Sequence, residues 1–208
     1  MRLLLIRHGQ SEANARGIIQ GRREYGLTGL GREQAARVAA RLAAGSRPVR
    51  LLSSPLLRAR QTADIIAQAL GLSVEEEPGL LEYDVGAISG LTAPEVREHF
   101  PDVVAALQRG ERPRFPGEEG RELFWSRVAA VLDAVQQRGE HVVAVTHGGV
   151  VSASCAMIAG LEPGRLGQFE AANCAITEIG VDRAGRRVIL RQNDTCHLTG
   201  LVTSIDRG

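Results

Sequence analysis

Apolar positions along the chain fall into short continuous runs separated by longer stretches of helical period. Leu3–Ile6, Val49–Leu52 and His141–Val145 have strand length and little polar alternation, the pattern of strands buried on both faces. Between the first two, Leu30, Ala35, Val38, Ala39 and Leu42 recur at helical spacing, predicting a helix over 28–44 with Gly45 as its stop. A second helix is expected over Pro55–Leu70, with Ser54 as N-cap, Pro55 at its first position and Gly71 closing it. Val74 begins a short strand that leads into a Gly-rich stretch through Gly90. Pro94–Phe100 and Val103–Gln108 read as small helices, followed by a charged loop to Gly120 and a long amphipathic helix over Glu122–Gln137. Val150–Ala159 reads as helical, and Ala175–Ile179 with Arg187–Arg191 alternate as a terminal strand pair. Phe124, Trp125 and Cys155 are assigned to helix packing.

The chain of 208 residues shows no internal repeat, low-complexity tract or linker. It is therefore expected to form a single domain over 1–208, with roughly 80–120 as a lid or insert over the site. The β-α-β-α order predicts an α/β fold of three layers, α/β/α, with a mainly parallel central sheet. In such sheets ligands bind beyond the carboxyl ends of the strands. Arg7-His8-Gly9 follows the first strand, Ser53-Ser54 and then Arg58 follow the second, and Thr146-His147-Gly148-Gly149 follow the third. Two histidines and two arginines are thus brought to one sheet edge. Singly, each has a plainer explanation: a turn or core histidine, a surface arginine on a helix. The joint pattern carries the functional expectation.

Composition narrows the chemistry. The 25 basic residues are all arginine, against 24 acidic ones, for a net charge of +1. That balance argues against a general nucleic-acid or membrane-surface partner. The absence of lysine excludes a Walker P-loop and Schiff-base or pyridoxal chemistry. Three cysteines without a C-x-x-C pair, and histidines without H-E-x-x-H, predict neither a disulfide framework nor a metal site. The N-terminal apolar run reaches Arg7 after four residues, short of the roughly 7–15 of a secretory segment. Nothing approaches the roughly 18 apolar residues of a membrane span. A cytoplasmic protein is expected.

Arginine suits a phosphate because its planar fork makes paired, charge-assisted hydrogen bonds. Helix starts at Ser54 and near Gly149 would add backbone N–H groups to such a site. Imidazole can attack phosphorus, giving a phosphohistidine that splits one hard displacement into two easier ones. Guanidinium charges nearby would keep that imidazole neutral, as a nucleophile must be. A carboxyl group must still protonate the leaving alkoxide, and Glu82 and Asp84 are both candidates on the residues alone.

Arg7-His8-Gly9-Gln10-Ser11-Glu12-Ala13-Asn14 resembles the R-H-G-x-x-x-x-N signature of the histidine phosphatase superfamily, which includes phosphoglycerate mutases. Further matches follow in order: Gln20-Gly21; Leu27-Thr28 with Gly31 and Gln34-Ala35; and Ser53-Ser54-Pro55-Leu56-Leu57-Arg58-Ala59-Arg60-Gln61-Thr62-Ala63. Glu82-Tyr83-Asp84-Val85-Gly86 with Gly90 is similar to the family's E-x-x-x-G-x-x-x-G segment, and Thr146-His147-Gly148-Gly149 to its second histidine motif. The resemblance implies a phosphoglycerate mutase-like fold and a histidine acid phosphatase-type phosphoric monoester hydrolase that uses no metal or other cofactor. It makes His8 the nucleophile, Glu82 the proton donor, and Arg7, Arg58 and His147 the clamp on the transferring phosphoryl group. Asn14, Gln20, Gly21 and Gly148 are carried over as substrate-binding positions. The expected partner is a small-molecule phosphate ester, with a homodimer as the candidate assembly. Mutases of the superfamily resemble E-R-H-Y-G after the acid and H-G-N-S after the second histidine. Here Tyr83-Asp84-Val85 and Gly149-Val150 stand instead, which favours the phosphatase branch over the alternative, a phosphoglycerate mutase. The tail Asn193-Asp194-Thr195-Cys196-His197-Leu198 also resembles that branch, including its metal-independent phosphoserine phosphatases. Two departures from those enzymes are Val85 where they have histidine and Glu118 where P-G-G-E has its second glycine.

Overall fold

The computed structural model describes residues 1–45, 47–111, 113–163 and 168–203. Six strands, β1 (Arg2–Arg7), β2 (Arg50–Ser53), β3 (Val74–Glu76), β4 (His141–Thr146), β5 (Ile176–Val181) and β6 (Arg187–Asp194), form one sheet in the order β3-β2-β4-β1-β5-β6. β3, β2, β4 and β1 run parallel, while β5 pairs antiparallel with β1 and β6 antiparallel with β5. The principal helices are α1 (Glu12–Ala15), α2 (Gly29–Ala43), α3 (Leu57–Leu70), α4 (Ala93–His99), α5 (Pro101–Gln108), α6 (Arg121–Arg138) and α7 (Gly148–Ile158).

The continuous apolar runs exist because each central strand feeds two cores. Successive strand side chains point to opposite faces. Leu3, Leu5, Leu52, Val142 and Ala144 pack in one cluster with Phe124, Val128 and Leu132 of α6 and Val151 and Cys155 of α7. Leu4, Ile6, Leu51, Val143 and Val145 pack in the other with Val38 and Ala39 of α2 and Ala63 and Ile66 of α3. The three layers follow from these two faces.

Register delivers the site. Arg7 lies opposite Thr146, and Ser53 opposite Val145. The ladder continues one step further: His8 N–H donates to the Thr146 carbonyl and Ser54 N–H to the Val145 carbonyl, each at 2.9 Å. His8, Ser54 and His147 are therefore the residues that leave one edge together.

α2 falls within the expected 28–44 stretch, and Thr28 caps it, accepting the Gly31 N–H at 3.0 Å. The start of α3 corrects the sequence expectation. The helix begins at Leu57 with Leu56 as N-cap, not at Pro55 with Ser54, and no side chain caps it. Ser54 Oγ lies instead 2.8 Å from His147 Nε2, so its capping preference has given way to a contact across the sheet edge. α7 starts at Gly148, two residues before the predicted Val150, and brings its first N–H groups up to the site. The single turn α1, unforeseen in the periodicity, is fixed by a capping box between Ser11 and Asn14.

Candidate active site

Arg7, His8, Arg58 and His147 are all buried at the carboxyl edge of the parallel strands. The His8 ring is oriented by its Nδ1–H, which donates to the Gly9 carbonyl at 2.7 Å. A carbonyl can only accept, so Nε2 carries the lone pair. Arg58 Nε–H meets that lone pair at 3.2 Å, a long bond that an incoming electrophile can displace. Gly9 N–H is held by Thr62 Oγ1 at 3.1 Å, which pins the residue that sets the tautomer.

Arg58, 1% exposed, is fixed by backbone acceptors: Nη2 donates to Gly21 at 2.8 Å and Nη1 to Arg23 at 2.9 Å. Gly21 turns through a left-handed φ of 51°, and a Cβ there would collide with Ser89 and Val85; this position requires glycine. Arg7 Nη1 donates to the Ala171 carbonyl at 2.7 Å. Two buried nitrogens at this edge, Arg7 Nε and His147 Nδ1, have no hydrogen-bond partner among the described residues. Unpaired buried polar atoms are rare and concentrate where a ligand supplies the missing partner. The His8 and His147 ring centroids lie 5.2 Å apart with the planes tilted by 60°.

Burial lowers the pKa of His8 well below the ordinary 6.5, and the Arg58 and Arg7 charges add to the effect. His147 is lowered in the same way by burial, then by Arg58, His8, Arg7 and Arg127. The Arg58 guanidinium is pushed down to about 10, burial outweighing the attraction of Glu82 and Glu24, and stays charged at neutral pH.

A pH dependence follows. Both imidazoles are neutral in the folded chain, whereas in the unfolded chain they take up protons as pH falls through about 6.5. Below that value the unfolded state binds more protons, so stability falls as pH drops from about 6.5 towards the depressed folded values. NMR titration of the ligand-free protein should show the His8 ring turning over well below pH 6.5; a midpoint at or above 6.5 would contradict the electrostatics described.

Glu82 shares with His8 a pocket of about 310 Å³, lined also by Arg7, Ile19, Gln20, Gly21, Arg58, Tyr83, Val85, Gly148 and Gly149; His147 lies behind this wall, next to Gly148, and is not among the lining residues. Glu82 Oε1 accepts the Tyr83 N–H at 2.8 Å and its Oε2 the Gly149 N–H at 3.1 Å. A Cβ at position 149 would strike the Glu82 carboxylate, so the second glycine of the histidine motif makes room for the acid. Asp84 is directed elsewhere: its Oδ1 accepts the Gly86 N–H at 3.0 Å, and it does not line the pocket.

Gln20, Gly21 and Gly148 line the pocket, as the sequence suggests. Gln20 Oε1 accepts from Ser11 Oγ at 2.8 Å, which turns its amide nitrogen away from that contact. Asn14 is not brought to the pocket wall. Its Oδ1 closes the capping box on Ser11 N at 3.2 Å and accepts from Asn173 Nδ2 at 3.4 Å. Asn173 Nδ2 in turn donates to the His8 carbonyl at 2.9 Å, so Asn14 supports the histidine from behind.

Several residues of this apparatus were not singled out in the sequence. The 171–174 turn clamps both Arg7 and His8, with Cys174 N–H on the Arg7 carbonyl at 2.9 Å and Cys174 itself at a φ of 56°. Arg127 on α6 donates to the Glu82 carbonyl at 2.9 Å and to Glu119 at 2.6 Å, and Arg22 links the same two residues from the other side. Tyr83 O–H donates to Glu118 at 3.0 Å; burial and this bond push the phenol up to about 12. No local pattern signals these contacts, because most of them join segments far apart in sequence.

The fold and this edge define a phosphoryl-handling α/β protein, and comparison with known proteins gives its family. The model for the histidine phosphatase superfamily (branch 1) matches residues 3–195, and the chain belongs to that family. It is similar to phosphoserine phosphatase 1 of Hydrogenobacter thermophilus, 33% identical over 201 residues, covering 95% of this chain and 94% of that one. It is also similar to phosphoglycerate mutase-like protein 4 of Arabidopsis thaliana, 34% identical over 154 residues, 72% of this chain and 67% of that one. Among solved structures, YhfR of Bacillus stearothermophilus superposes with a TM-score of 0.84 at 26% identity, covering 94% of this chain and 98% of that one. The phosphoserine phosphatase among these relatives supports phosphomonoester hydrolysis as the class of activity.

Proposed function

We propose that the chain is a metal-independent phosphomonoesterase that works through a phosphohistidine on His8. The observation that carries this is the His8 Nε2 lone pair, presented by the Nδ1–H bond to Gly9, beside Arg58 and the unpaired Arg7 Nε and His147 Nδ1. In the first step Nε2 forms a bond to phosphorus while the P–O bond to the ester oxygen breaks, and Glu82 gives that oxygen its proton. In the second step water attacks the phosphohistidine, the P–N bond breaks, and the Glu82 carboxylate takes the water's proton. Arg7, Arg58 and His147 meet the charge that spreads over the phosphoryl oxygens. Gln20, Gly21 and Gly148 border the remainder of the substrate.

The finer type is that of a histidine acid phosphatase, because a His8 held neutral below its usual range keeps its nucleophile in mild acid. The 80–120 region contributes Glu82, Tyr83 and Val85 to the pocket and acts as the lid within a single domain over 1–208. Three unbridged cysteines, Cys155, Cys174 and Cys196, support a reducing, cytoplasmic compartment; a homodimer is the assembly to test by light scattering. Among the described residues, no helix is long and apolar enough to cross a membrane.

Guanidinium and imidazole supply the charge stabilisation that a divalent ion supplies in other phosphatases. Dialysis against EDTA should therefore leave the rate unchanged, and activity that vanishes and returns with Mg²⁺ would refute this assignment. Phosphoserine is the first substrate to assay, since a relative carries that name. With 3-phosphoglycerate, release of inorganic phosphate supports hydrolysis, and relocation of the phosphate would favour the mutase alternative.

A further inference from the structure

We propose that Ser54 sets the tautomer of His147: its hydroxyl donates to Nε2, so that the ring offers Nδ1–H to the phosphoryl group. The inference rests on the phosphoryl-binding assignment above and adds a positioning residue to it.

Ser54 and His147 are both fully buried, and Ser54 Oγ lies 2.8 Å from His147 Nε2. Either atom could carry the shared proton. The surroundings decide between them. Leu56 N–H donates to Ser54 Oγ at 3.4 Å, so the oxygen already accepts from the backbone. If His147 donated Nε2–H as well, Ser54 would accept twice and its own hydroxyl hydrogen would be buried without an acceptor among its described contacts. His147 Nδ1 would then be a bare lone pair, also buried and without a donor. Two buried polar groups would be unpaired, each having lost its hydrogen bonds to water without replacement.

The other arrangement leaves one. Ser54 accepts from Leu56 and donates to Nε2, which satisfies the hydroxyl completely. His147 then carries its proton on Nδ1, and the only unpaired group is a donor. A donor is what an anion requires, while a lone pair at that position would repel phosphoryl oxygens. The same logic fixes His8 in reverse: its Nδ1–H is tied to Gly9, so Nε2 is the lone pair. One histidine is set as nucleophile and the other as donor by their different hydrogen-bond partners.

The position of Ser54 explains the displaced start of α3. A serine that capped the helix would spend its oxygen on the N–H groups of the first turn. Here the helix begins at Leu57 without a side-chain cap, and the serine oxygen, holding the Leu56 N–H ahead of the helix, faces His147 just beyond β4. The fold gives up a helix cap and gains a fixed imidazole.

The test is a long-range ¹H–¹⁵N correlation spectrum of ligand-free protein near pH 7.5, with the His147 signals assigned by their loss in His147→Gln. The two ring nitrogens resonate far apart according to which one bears the proton. The expected result is a proton on Nδ1 in the wild type, and a shift towards Nε2–H in Ser54→Ala. That variant should lose about 10–100-fold in kcat/KM, comparable with the weakening of one oxyanion donor, while Ser54→Thr, which keeps the hydroxyl, should restore the wild-type tautomer. A wild-type proton on Nε2 overturns the proposal even if no variant folds. An Nδ1 proton that persists in Ser54→Ala overturns the part assigned to Ser54. Phosphate trapped covalently on His8 is measured in a portion of the same preparation quenched during turnover of an added phosphate ester. Its absence would count against the phosphohistidine mechanism, whereas its presence with the wrong His147 tautomer would sink this inference alone.

Discussion

Replacing His8 by alanine is expected to reduce turnover by roughly 10⁴–10⁶-fold, the scale seen when a covalent nucleophile is removed. The residual rate would come from Arg7, Arg58 and His147, which still bind and polarise the phosphate but have no atom to hand it to. Folding should survive. Among the described residues the His8 ring bonds to the neighbouring Gly9 carbonyl and to Arg58 Nε, and its backbone keeps the bonds to Thr146 and Asn173. The alanine variant also removes the acceptor in front of Arg58 Nε, which stays charged and can turn to bound phosphate. Substrate binding should therefore fall far less than turnover. Two measurements check this: phosphate release under saturating substrate, and phosphate trapped on the protein that is labile in acid and stable in base. Trapped phosphate in the wild type but not in the variant supports His8 as the carrier. Turnover at the wild-type rate in His8→Ala would end the mechanism.

The layout of the sheet was legible because strand burial leaves a dense signal. Leu3–Ile6 and His141–Val145 are apolar at every core-facing position on both faces, so a parallel, doubly covered sheet is almost dictated. Once those strands are aligned, their C-terminal neighbours must meet, and Arg7, His8, Arg58 and His147 could be read off together. Glu82 could not be told from Asp84 on chemistry alone. The family resemblance singled it out, and the structure shows the physical difference: Glu82 is seated on Tyr83 N–H and Gly149 N–H, while Asp84 turns back on its own loop. Ser54 shows how local propensity misleads. Serine before proline reads as a cap, yet the long-range partner His147 takes the hydroxyl. Arg127 and Glu119 were illegible for a related reason. An arginine on an amphipathic helix looks solvated, and only the folded chain shows it reaching the carbonyls of Gly79, Leu81 and Glu82 at 2.6–2.9 Å. Asn14 shows the converse, a motif residue whose amide oxygen is spent inside the fold.

Glu82→Gln is expected to slow an alkyl phosphate by about 10²–10⁴-fold, the usual worth of general acid catalysis, and an activated aryl phosphate far less. An alkoxide is a poor leaving group and needs its proton as the P–O bond breaks, whereas a phenolate bearing electron-withdrawing groups departs without one. Glutamine has nearly the shape of glutamate but cannot deliver that proton. It also disturbs the seat of the side chain: the carboxylate accepts N–H groups from both Tyr83 and Gly149, and glutamine can accept only one of them through its oxygen. That structural penalty falls on both substrates, so the ratio of alkyl to aryl rates isolates the proton transfer. A second route reaches the same residue without touching it. A Cβ at 149 would meet the Glu82 carboxylate, so Gly149→Ala should displace the acid and reproduce the selective loss in weaker form. Asp84→Asn should change neither rate substantially, because the Asp84 carboxylate accepts the Gly86 N–H of its own turn, its bonds to Glu119 run through the backbone, and it lies outside the pocket wall. Steady-state rates on the two substrates for the three variants decide the matter. Equal losses on both substrates in Glu82→Gln would reduce Glu82 to a structural role, and a selective loss in Asp84→Asn would move the proton donor two residues along the same loop.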